Sequence, residues 1–269
     1  MRVALAGFGN SGQEVARRLT ADAIPGVTLT AVTARDLDKA RANAAKISPA
    51  LKVVTLAELP EHADIVAECA IASALPDILK VCLGAGKTVI VVSAAGLLGM
   101  PDAEDFARKS GARLRIANGA LPGLDILRAA KEGEIQSVKL TSQIRADSLA
   151  HEDYIMSKGF DFAKNPPADP VLVFHGTAGD AARAFPRHFN VAVTLSLAGI
   201  GFERTEIEVW ARSDLPGAVH MVEIESDNIG LTLISRNRPS PTNPRTSRVV
   251  APSIVAAIRA MVAPLVSGG

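Results

Sequence analysis

The chain has few aromatic residues, few cysteines and almost no net charge, and each shortage excludes a class of protein. Aromatic residues make up 4% of the 269 residues, so a folded core must be built from Ala, Val, Leu and Ile. The two cysteines, Cys69 and Cys82, are too few for a disulfide framework and lack metal-ligand spacing, which favours a reducing compartment. A net charge of +1 provides no excess of positive charge for binding nucleic acid or an anionic membrane.

Long hydrophobic runs are also missing. The longest, at residues 88–100 and 191–202, are shorter than the roughly 20 residues of a membrane helix, and both contain Ser and Gly. The first residues lack the extended apolar segment of a signal peptide. We therefore expect a cytoplasmic protein with no membrane or nucleic-acid partner and no bound metal. At roughly 150 residues per domain, the length predicts about two domains.

Up to residue 118, short aliphatic runs alternate with longer segments of helical period. Strands that are apolar on both faces and separated by helices indicate a parallel sheet covered on two sides, and right-handed crossovers make it doubly wound. The predicted strands are residues 2–6, 27–33, 51–54, 65–68, 88–92 and 113–117, and the predicted helices are 11–20, 37–47, 75–83 and 103–109. We expect residues 1–118 to form one α/β domain.

After residue 118 the strands become longer and alternate polar with apolar residues, which indicates a mixed or antiparallel sheet with one solvent-exposed face. The predicted strands are residues 137–144, 205–211, 220–226 and 230–235, and the predicted helices are 124–132, 183–199 and 246–266. Low periodicity over residues 151–170 predicts a loop or a lid. We expect a smaller α/β catalytic domain at residues 119–245, and we expect the last helix to pack back on the first domain.

A glycine motif directly follows the first predicted strand and opens the first helix. Gly7, Gly9 and Gly12 form G-x-G-x-x-G, with Asn10 and Ser11 inside it. Such glycines allow a tight turn, close approach of the backbone to a pyrophosphate, and close packing of helix on strand. The strand–turn–helix context turns a weak motif into a dinucleotide fingerprint, although a purely structural glycine turn is the alternative. The motif predicts a Rossmann domain that binds NAD or NADP through these five residues.

The end of the second strand indicates which dinucleotide is bound. NAD-specific sites place Asp or Glu about 20 residues after the glycines to bind the ribose 2′-OH, but residues 31–34 contain no acid. Arg35 follows and can accept a 2′-phosphate, so the sequence favours NADP over NAD. The alternative is that Arg35 is solvated and that Asp36 caps the next helix.

Three further residues follow predicted parallel strands, at the edge where doubly wound sheets bind ligands. Cys69 and Ser93 are expected to line the nicotinamide side of the cofactor site. Cys69 is a small buried residue rather than a nucleophile in this interpretation. Asn118 is a candidate for substrate binding.

Segments in the second half carry a resemblance to a known family. These are residues 118–125 (NGALPGLD), 185–193 (FPRHFNVAV), 197–201 (LAGIG), 219–224 (VHMVEI) and 243–247 (NPRTS). Together with the glycine motif, and in the same order across nearly the whole chain, they resemble the L-aspartate dehydrogenase family. The resemblance implies a Rossmann domain followed by an α/β catalytic domain, assembled as a homodimer or a larger homo-oligomer.

The resemblance also assigns roles to single residues. His220 matches the family's catalytic histidine, and Ala120 and Asn190 match its cofactor contacts. Among the five histidines, His188 is the main alternative to His220, because it precedes Asn190. The remaining histidines are His62 in a polar connection, His151 in the predicted loop and His175 at a strand end.

A dicarboxylate substrate needs cationic or N–H donors for both carboxylates. Arg245, Thr246 and Ser247 form a donor cluster at the start of the predicted last helix, although they could also be ordinary helix-start residues. The implied reaction is reversible oxidative deamination of L-aspartate through iminosuccinate to oxaloacetate and ammonia, and in some family members the imine supplies NAD biosynthesis. The alternatives are a related two-domain oxidoreductase for another small amino or hydroxy acid, and a non-catalytic dinucleotide sensor.

Overall fold

The computed structural model describes residues 1–185, 189–240 and 247–267. These residues form two compact units. The first contains residues 1–119 and 250–267, and the second contains the described residues between 120 and 249. Within the described chain, no helix has both the length and the apolar character needed to cross a membrane.

The first unit is built on a six-stranded sheet with the order β3-β2-β1-β4-β5-β6, in which every neighbouring pair is parallel. The strands are β1 (Arg2–Ala6), β2 (Thr28–Thr33), β3 (Lys52–Val53), β4 (Ile65–Glu68), β5 (Thr88–Val91) and β6 (Arg113–Ile116). The helices are α1 (Asn10–Ala21), α2 (Leu37–Ala45), α3 (Leu75–Gly84) and α4 (Ala103–Ser110), with short 3₁₀ turns at Leu59–His62, Ala72–Ala74 and Ala94–Gly99. The predicted doubly wound sheet is confirmed.

Strand β1 shows why this sheet is buried on both faces. Val3 and Leu5 belong to one hydrophobic cluster, while Ala4 and Ala6 belong to the cluster on the opposite face. Because successive side chains of a strand point to opposite faces, a strand covered on both sides must be apolar throughout. The strand order reverses between β1 and β4, and doubly wound sheets bind their ligands at such a reversal, beyond the carboxyl ends of the strands.

The second unit contains a five-stranded mixed sheet with the order β11-β10-β7-β9-β8. Strands β7 and β9 are parallel, and the other neighbours are antiparallel. The strands are β7 (Ile135–Arg145), β8 (Val171–Thr177), β9 (Thr205–Arg212), β10 (Val219–Ser226) and β11 (Gly230–Arg236). The helices are α5 (Leu124–Ala130), α6 (Ala146–Leu149), α7 (Asp153–Ser157), α8 (Ala178–Ala184) and α9 (Asn190–Ala198). The predicted mixed sheet is confirmed.

The final helix, α10 (Val250–Ala260), belongs to the first unit. Its buried residues Ala251, Ile254 and Ile258 join the hydrophobic cluster that contains the apolar face of α1. An ion pair between Arg259 and Asp22, 3.2 Å long, adds a polar contact at the end of α1. The chain thus returns to the first unit after completing the second.

Two predicted helices were wrong in extent. Residues 183–199 do not form one helix, because α8 ends at Ala184 and α9 begins at Asn190. Phe185 precedes a proline, which disfavours the helical conformation, and its φ of −134° and ψ of 65° are not helical. The last helix runs over 250–260 rather than 246–266, since Ser247 bridges to Pro239 and Pro264 cannot continue a helix. Strand β8 was predicted only as a strand end at His175, without bounds, and the short helices α6 and α7 were not predicted.

Candidate active site

The glycine motif joins β1 to α1, and two of its glycines are needed for packing. Gly7 has φ +105°, and a Cβ there would lie 2.6 Å from the backbone nitrogen of Ala70. A Cβ at Gly12 would lie 2.2 Å from the carbonyl oxygen of Gly7. A Cβ at Gly9 would meet no atom within 4 Å, so the backbone at Gly9 faces open space. This is the arrangement that a backbone approaching a pyrophosphate requires.

The first turn of α1 is suited to an anion. Gly9 provides no side-chain cap, and the turn contains no acidic residue. Its N–H groups therefore keep their positive potential, which the helix dipole reinforces. Gly9 and Asn10 are exposed and Ser11 is half-buried, so a ligand can reach them. The chain's own residues thus fit a dinucleotide phosphate at this position.

The strand end that precedes Arg35 is hydrogen-bonded to this loop. The N–H of Gly7 donates to the carbonyl oxygen of Thr33 over 2.9 Å, two residues before Arg35. The Arg35 side chain is exposed, and Asp36 caps α2 by accepting from the N–H of Lys39 over 2.9 Å. Arg35 is therefore solvated and Asp36 caps α2, as the alternative interpretation expects. An exposed guanidinium is also accessible to a phosphate.

Sequence reasoning missed Glu68, the last residue of β4, which is completely buried. Its carboxylate accepts from the backbone N–H groups of Ala70, Val92 and Ser93, at 2.6, 3.1 and 2.9 Å. Burial raises the pKa of Glu68, while the three donors act in the opposite direction. The only signal in the sequence is an acid at the end of an otherwise apolar strand.

The predicted residues at the ends of β4, β5 and β6 differ in exposure. Cys69 is buried, and burial raises the pKa of its thiol well above the usual range, with the neighbouring Glu68 adding to the shift. The thiol is therefore protonated at neutral pH and unsuited to nucleophilic attack. Ser93 is buried, and its hydroxyl donates to the carbonyl oxygen of Ala70 over 2.9 Å. Asn118, two residues beyond β6, is exposed.

In the second unit, His220 is the only buried histidine among the described residues, with 5% of its surface exposed. It lies near the start of β10, opposite Ser142 of β7 and Ser235 of β11. The Oγ of Ser142 lies 3.0 Å from Nδ1 of His220. Burial lowers the pKa of His220 to about 4, so the free protein holds a neutral imidazole at neutral pH.

A chain of hydrogen bonds joins two other predicted residues beside His220. Ser247 Oγ donates to Oδ1 of Asn237 over 2.9 Å, and Nδ2 of Asn237 donates to Ser235 Oγ over 3.3 Å. Ser235 Oγ in turn donates to the carbonyl oxygen of Ala120 over 3.2 Å. Because Ser235 is the register partner of His220, the structure brings Ala120 and Ser247 to the same end of the sheet as the imidazole. Ser142, Ser235 and Asn237 were not predicted.

The remaining predicted residues are Asn190, Arg245 and Thr246, with His188 as the alternative histidine. Asn190 is the first residue of α9 and is half-buried. Arg245 and Thr246 lie outside the described residues, as does the alternative histidine, His188.

One cluster of possible metal ligands occurs in the described chain, at His175, Glu206 and Glu208. The ammonium of Lys139 lies 2.7 Å from Glu208 and 3.4 Å from Glu206. His175 also lies 3.0 Å from Glu206. The carboxylates are thus already paired with a cation of the chain itself, which argues against a metal site.

The buried imidazole predicts a specific dependence of stability on pH. The unfolded chain takes up a proton on this histidine near pH 6.5, whereas the folded chain does so only near pH 4. The contribution of neutral His220 to the free energy of unfolding is therefore fully present above pH 6.5, and it is lost as the pH decreases from 6.5 towards 4. Between pH 7.5 and 5 the loss from His220 should be about 2 kcal/mol. Urea unfolding of His220→Gln should lack this component.

His151→Gln is the matched control, because His151 is exposed. It should keep the pH dependence of the unsubstituted protein. Parallel curves of unfolding free energy against pH for the unsubstituted protein and His220→Gln would show that burial of His220 does not control its protonation.

The doubly wound sheet with its open glycine loop, followed by a mixed-sheet unit, defines an NAD(P)-dependent dehydrogenase of two units. A family model described as the NAD-binding domain of homoserine dehydrogenase matches residues 7–117, and one described as the C-terminal part of aspartate dehydrogenase matches residues 125–261. The chain belongs to the aspartate dehydrogenase family.

Individual relatives agree with this assignment. The chain is 40% identical to L-aspartate dehydrogenase 3 of Bordetella bronchiseptica, over 98% of this chain and 96% of that protein. It is 39% identical to L-aspartate dehydrogenase of Bradyrhizobium diazoefficiens, over 100% of this chain and 94% of that protein. The crystal structure of aspartate dehydrogenase from Thermotoga maritima has the same fold, with a TM-score of 0.72, 22% identity, and coverage of 100% of this chain and 99% of that one.

Proposed function

We propose that this protein is an L-aspartate dehydrogenase that converts L-aspartate reversibly to oxaloacetate and ammonia. The observation that carries the proposal is the buried, neutral imidazole of His220, hydrogen-bonded to Ser142, in a chain whose relatives bear that name. A neutral imidazole is the form that can accept a proton from an ammonium group or from water.

The glycine loop and the first turn of α1 would hold the cofactor phosphates through backbone N–H groups, and Arg35 would bind a 2′-phosphate. The oxidised nicotinamide supplies the acceptor for the hydride that leaves Cα of the substrate. Cys69 and Ser93 would border the nicotinamide side, and Ala120 and Asn190 are further proposed cofactor contacts.

The reaction requires proton movements that the cofactor does not supply. Aspartate loses a hydride from Cα and a proton from nitrogen, which gives iminosuccinate; water then adds to the imine carbon and ammonia leaves. When Nδ1–H of His220 donates to Ser142 Oγ, Nε2 keeps its lone pair and serves as the base. Protonation at Nε2 leaves the contact with Ser142 unchanged, so this serine can hold the ring in both states.

The two substrate carboxylates need donors, and Asn118, Arg245, Thr246 and Ser247 are the proposed set. Ser247 is tied to the strand beside His220 through Asn237 and Ser235, which supports placing this segment at the site. Iminosuccinate released before hydrolysis would be available to NAD biosynthesis.

The proposal is tested by identifying the products. Incubation with L-aspartate and oxidised cofactor should give reduced nicotinamide, ammonia and oxaloacetate in equal amounts, and reversal should consume all three. Formation of reduced cofactor without ammonia would contradict oxidative deamination.

We further propose that NADP is preferred over NAD, because residues 31–34 lack an acid and Arg35 is exposed. Replacing Arg35 with alanine should raise the dissociation constant of NADPH about tenfold, the usual effect of losing one charge-assisted hydrogen bond. Binding of NADH should be unchanged. Titration of intrinsic or nicotinamide fluorescence measures both constants.

Lys39→Ala removes a nearby exposed cation from the first turn of α2 and should leave both constants unchanged. Equal losses of NADPH and NADH affinity in Arg35→Ala would assign Arg35 to a contact that both cofactors share.

A further inference from the structure

We propose that Glu68 is a positioning residue for the nicotinamide half of the dinucleotide site. This inference rests on the proposed function, which places the nicotinamide beside Cys69 and Ser93. Glu68 does not touch the cofactor in this account. Its carboxylate fixes the backbone of the two segments that do.

The carboxylate has an unusual environment. Glu68 is completely buried, and three backbone N–H groups donate to its carboxylate, with the Ser93 side chain as a further hydrogen-bond partner. No Lys or Arg forms an ion pair with it among the described residues. Burying a charge without a counter-charge is costly, and an apolar residue of similar volume is often at least as stabilising. A carboxylate at this position is therefore better explained by the backbone N–H groups that it binds than by its packing.

The three donors come from two different strand ends. Oε1 accepts from Ala70, just beyond β4, and Oε2 accepts from Val92 and Ser93, just beyond β5. The hydroxyl of Ser93 donates back to the carbonyl oxygen of Ala70, which closes a second link between the same segments. The two strand ends are thus connected in both directions by short polar contacts.

The phosphate loop lies directly against one of these segments. Gly7 is so close to the backbone of Cys69 and Ala70 that a Cβ would lie 2.6 Å from the carbonyl carbon of one and the nitrogen of the other. The order of strands reverses between β1 and β4, where doubly wound sheets bind dinucleotides. Glu68 is therefore placed to set the distance between the segment behind the phosphate loop and the segment after β5.

The alternative is that Glu68 serves only the stability of the fold. Glu68→Gln separates the two, because it keeps the shape and one acceptor oxygen but turns an N–H donor toward backbone N–H donors. If Glu68 positions the nicotinamide pocket, the dissociation constant of NADPH should rise about tenfold or more. Binding of 2′-phospho-ADP-ribose, which has the same phosphates but no nicotinamide, should be unchanged within twofold.

Glu58→Gln is a matched control in the same unit. Glu58 also accepts from a backbone N–H, that of Thr55. However, Glu58 is exposed and does not lie at the ends of β4 and β5. It should bind both ligands like the unsubstituted protein. Glu68→Asp, which keeps the charge on a shorter side chain, should show the same selective loss as Glu68→Gln and replaces it in the test if that variant does not fold.

Equal ratios of NADPH to 2′-phospho-ADP-ribose affinity in the unsubstituted protein and the Glu68 variants would overturn the proposal, whatever the melting temperatures. Because both ligands bind without substrate, this result is independent of whether L-aspartate is the substrate. Steady-state kinetics add a second readout. In Glu68→Gln, kcat should fall while the KM for the amino acid stays within about threefold.

Discussion

Replacing His220 with alanine is expected to lower kcat for L-aspartate by about 10²–10⁴-fold, the usual contribution of a general acid–base. The substitution removes the only buried imidazole of the described chain and leaves Ser142 without its partner. Cofactor binding should be unchanged, because the phosphate loop lies in the first unit and His220 is not one of the proposed cofactor contacts. Steady-state kinetics and NADPH titration measure the two quantities.

His175→Ala provides the control. His175 belongs to the same sheet but is exposed and paired with Glu206, so its loss should change kcat less than twofold. A His220→Ala variant that turns over at the rate of the unsubstituted protein would remove this residue from the mechanism and direct attention to His188.

The glycine loop should respond differently at two of its positions. Alanine at Gly12 would place a Cβ 2.2 Å from the rigid carbonyl oxygen of Gly7, so the loop must move. Gly-to-Ala changes within helices usually stabilise by about 0.5–1 kcal/mol, whereas this one should destabilise the protein and abolish measurable NADPH binding. Alanine at Gly9 meets no atom within 4 Å and should leave the melting temperature unchanged, yet raise the dissociation constant at least tenfold by occupying the space of the pyrophosphate.

Gly84→Ala is the control for both changes, since a Cβ there would make only an ordinary contact, 3.7 Å from the ring of Phe106. It should keep the dissociation constant, and because Gly84 lies in α3 it should raise the melting temperature slightly rather than lower it. Thermal unfolding of the free protein and NADPH titration separate the two effects. If Gly9→Ala bound NADPH as tightly as the unsubstituted protein, the open space at Gly9 would not be the phosphate site.

The fold of the first unit was predictable because it depends on patterns among residues that are close in sequence. A parallel strand that is buried on both faces must be apolar along its buried length, as β1 and β5 are after their first residues, and the glycines lie directly at the turn that needs them. All six strands of this sheet were predicted, with differences only at their ends. The alternating pattern of β7, β9, β10 and β11 likewise indicated a sheet covered on one face.

The remaining features depend on contacts between distant parts of the chain. Glu68 is held by Val92 and Ser93, 24 and 25 residues away, and no local pattern distinguishes it from an exposed acid at a strand end. Ser142 lies beside His220 only through the register of strands 78 residues apart. The break between α8 and α9 occurs where helical periodicity continues, and only the residue before a proline indicated it.

The central claim is that this chain oxidises L-aspartate with a nicotinamide cofactor. The most direct test is a panel of L-aspartate, homoserine and malate, each assayed with NAD and with NADP for the formation of reduced nicotinamide. The account predicts that L-aspartate has the highest kcat/KM by at least tenfold, with NADP the better cofactor. A higher kcat/KM for homoserine or malate, or tight NADPH binding with no turnover of any amino acid, would contradict it.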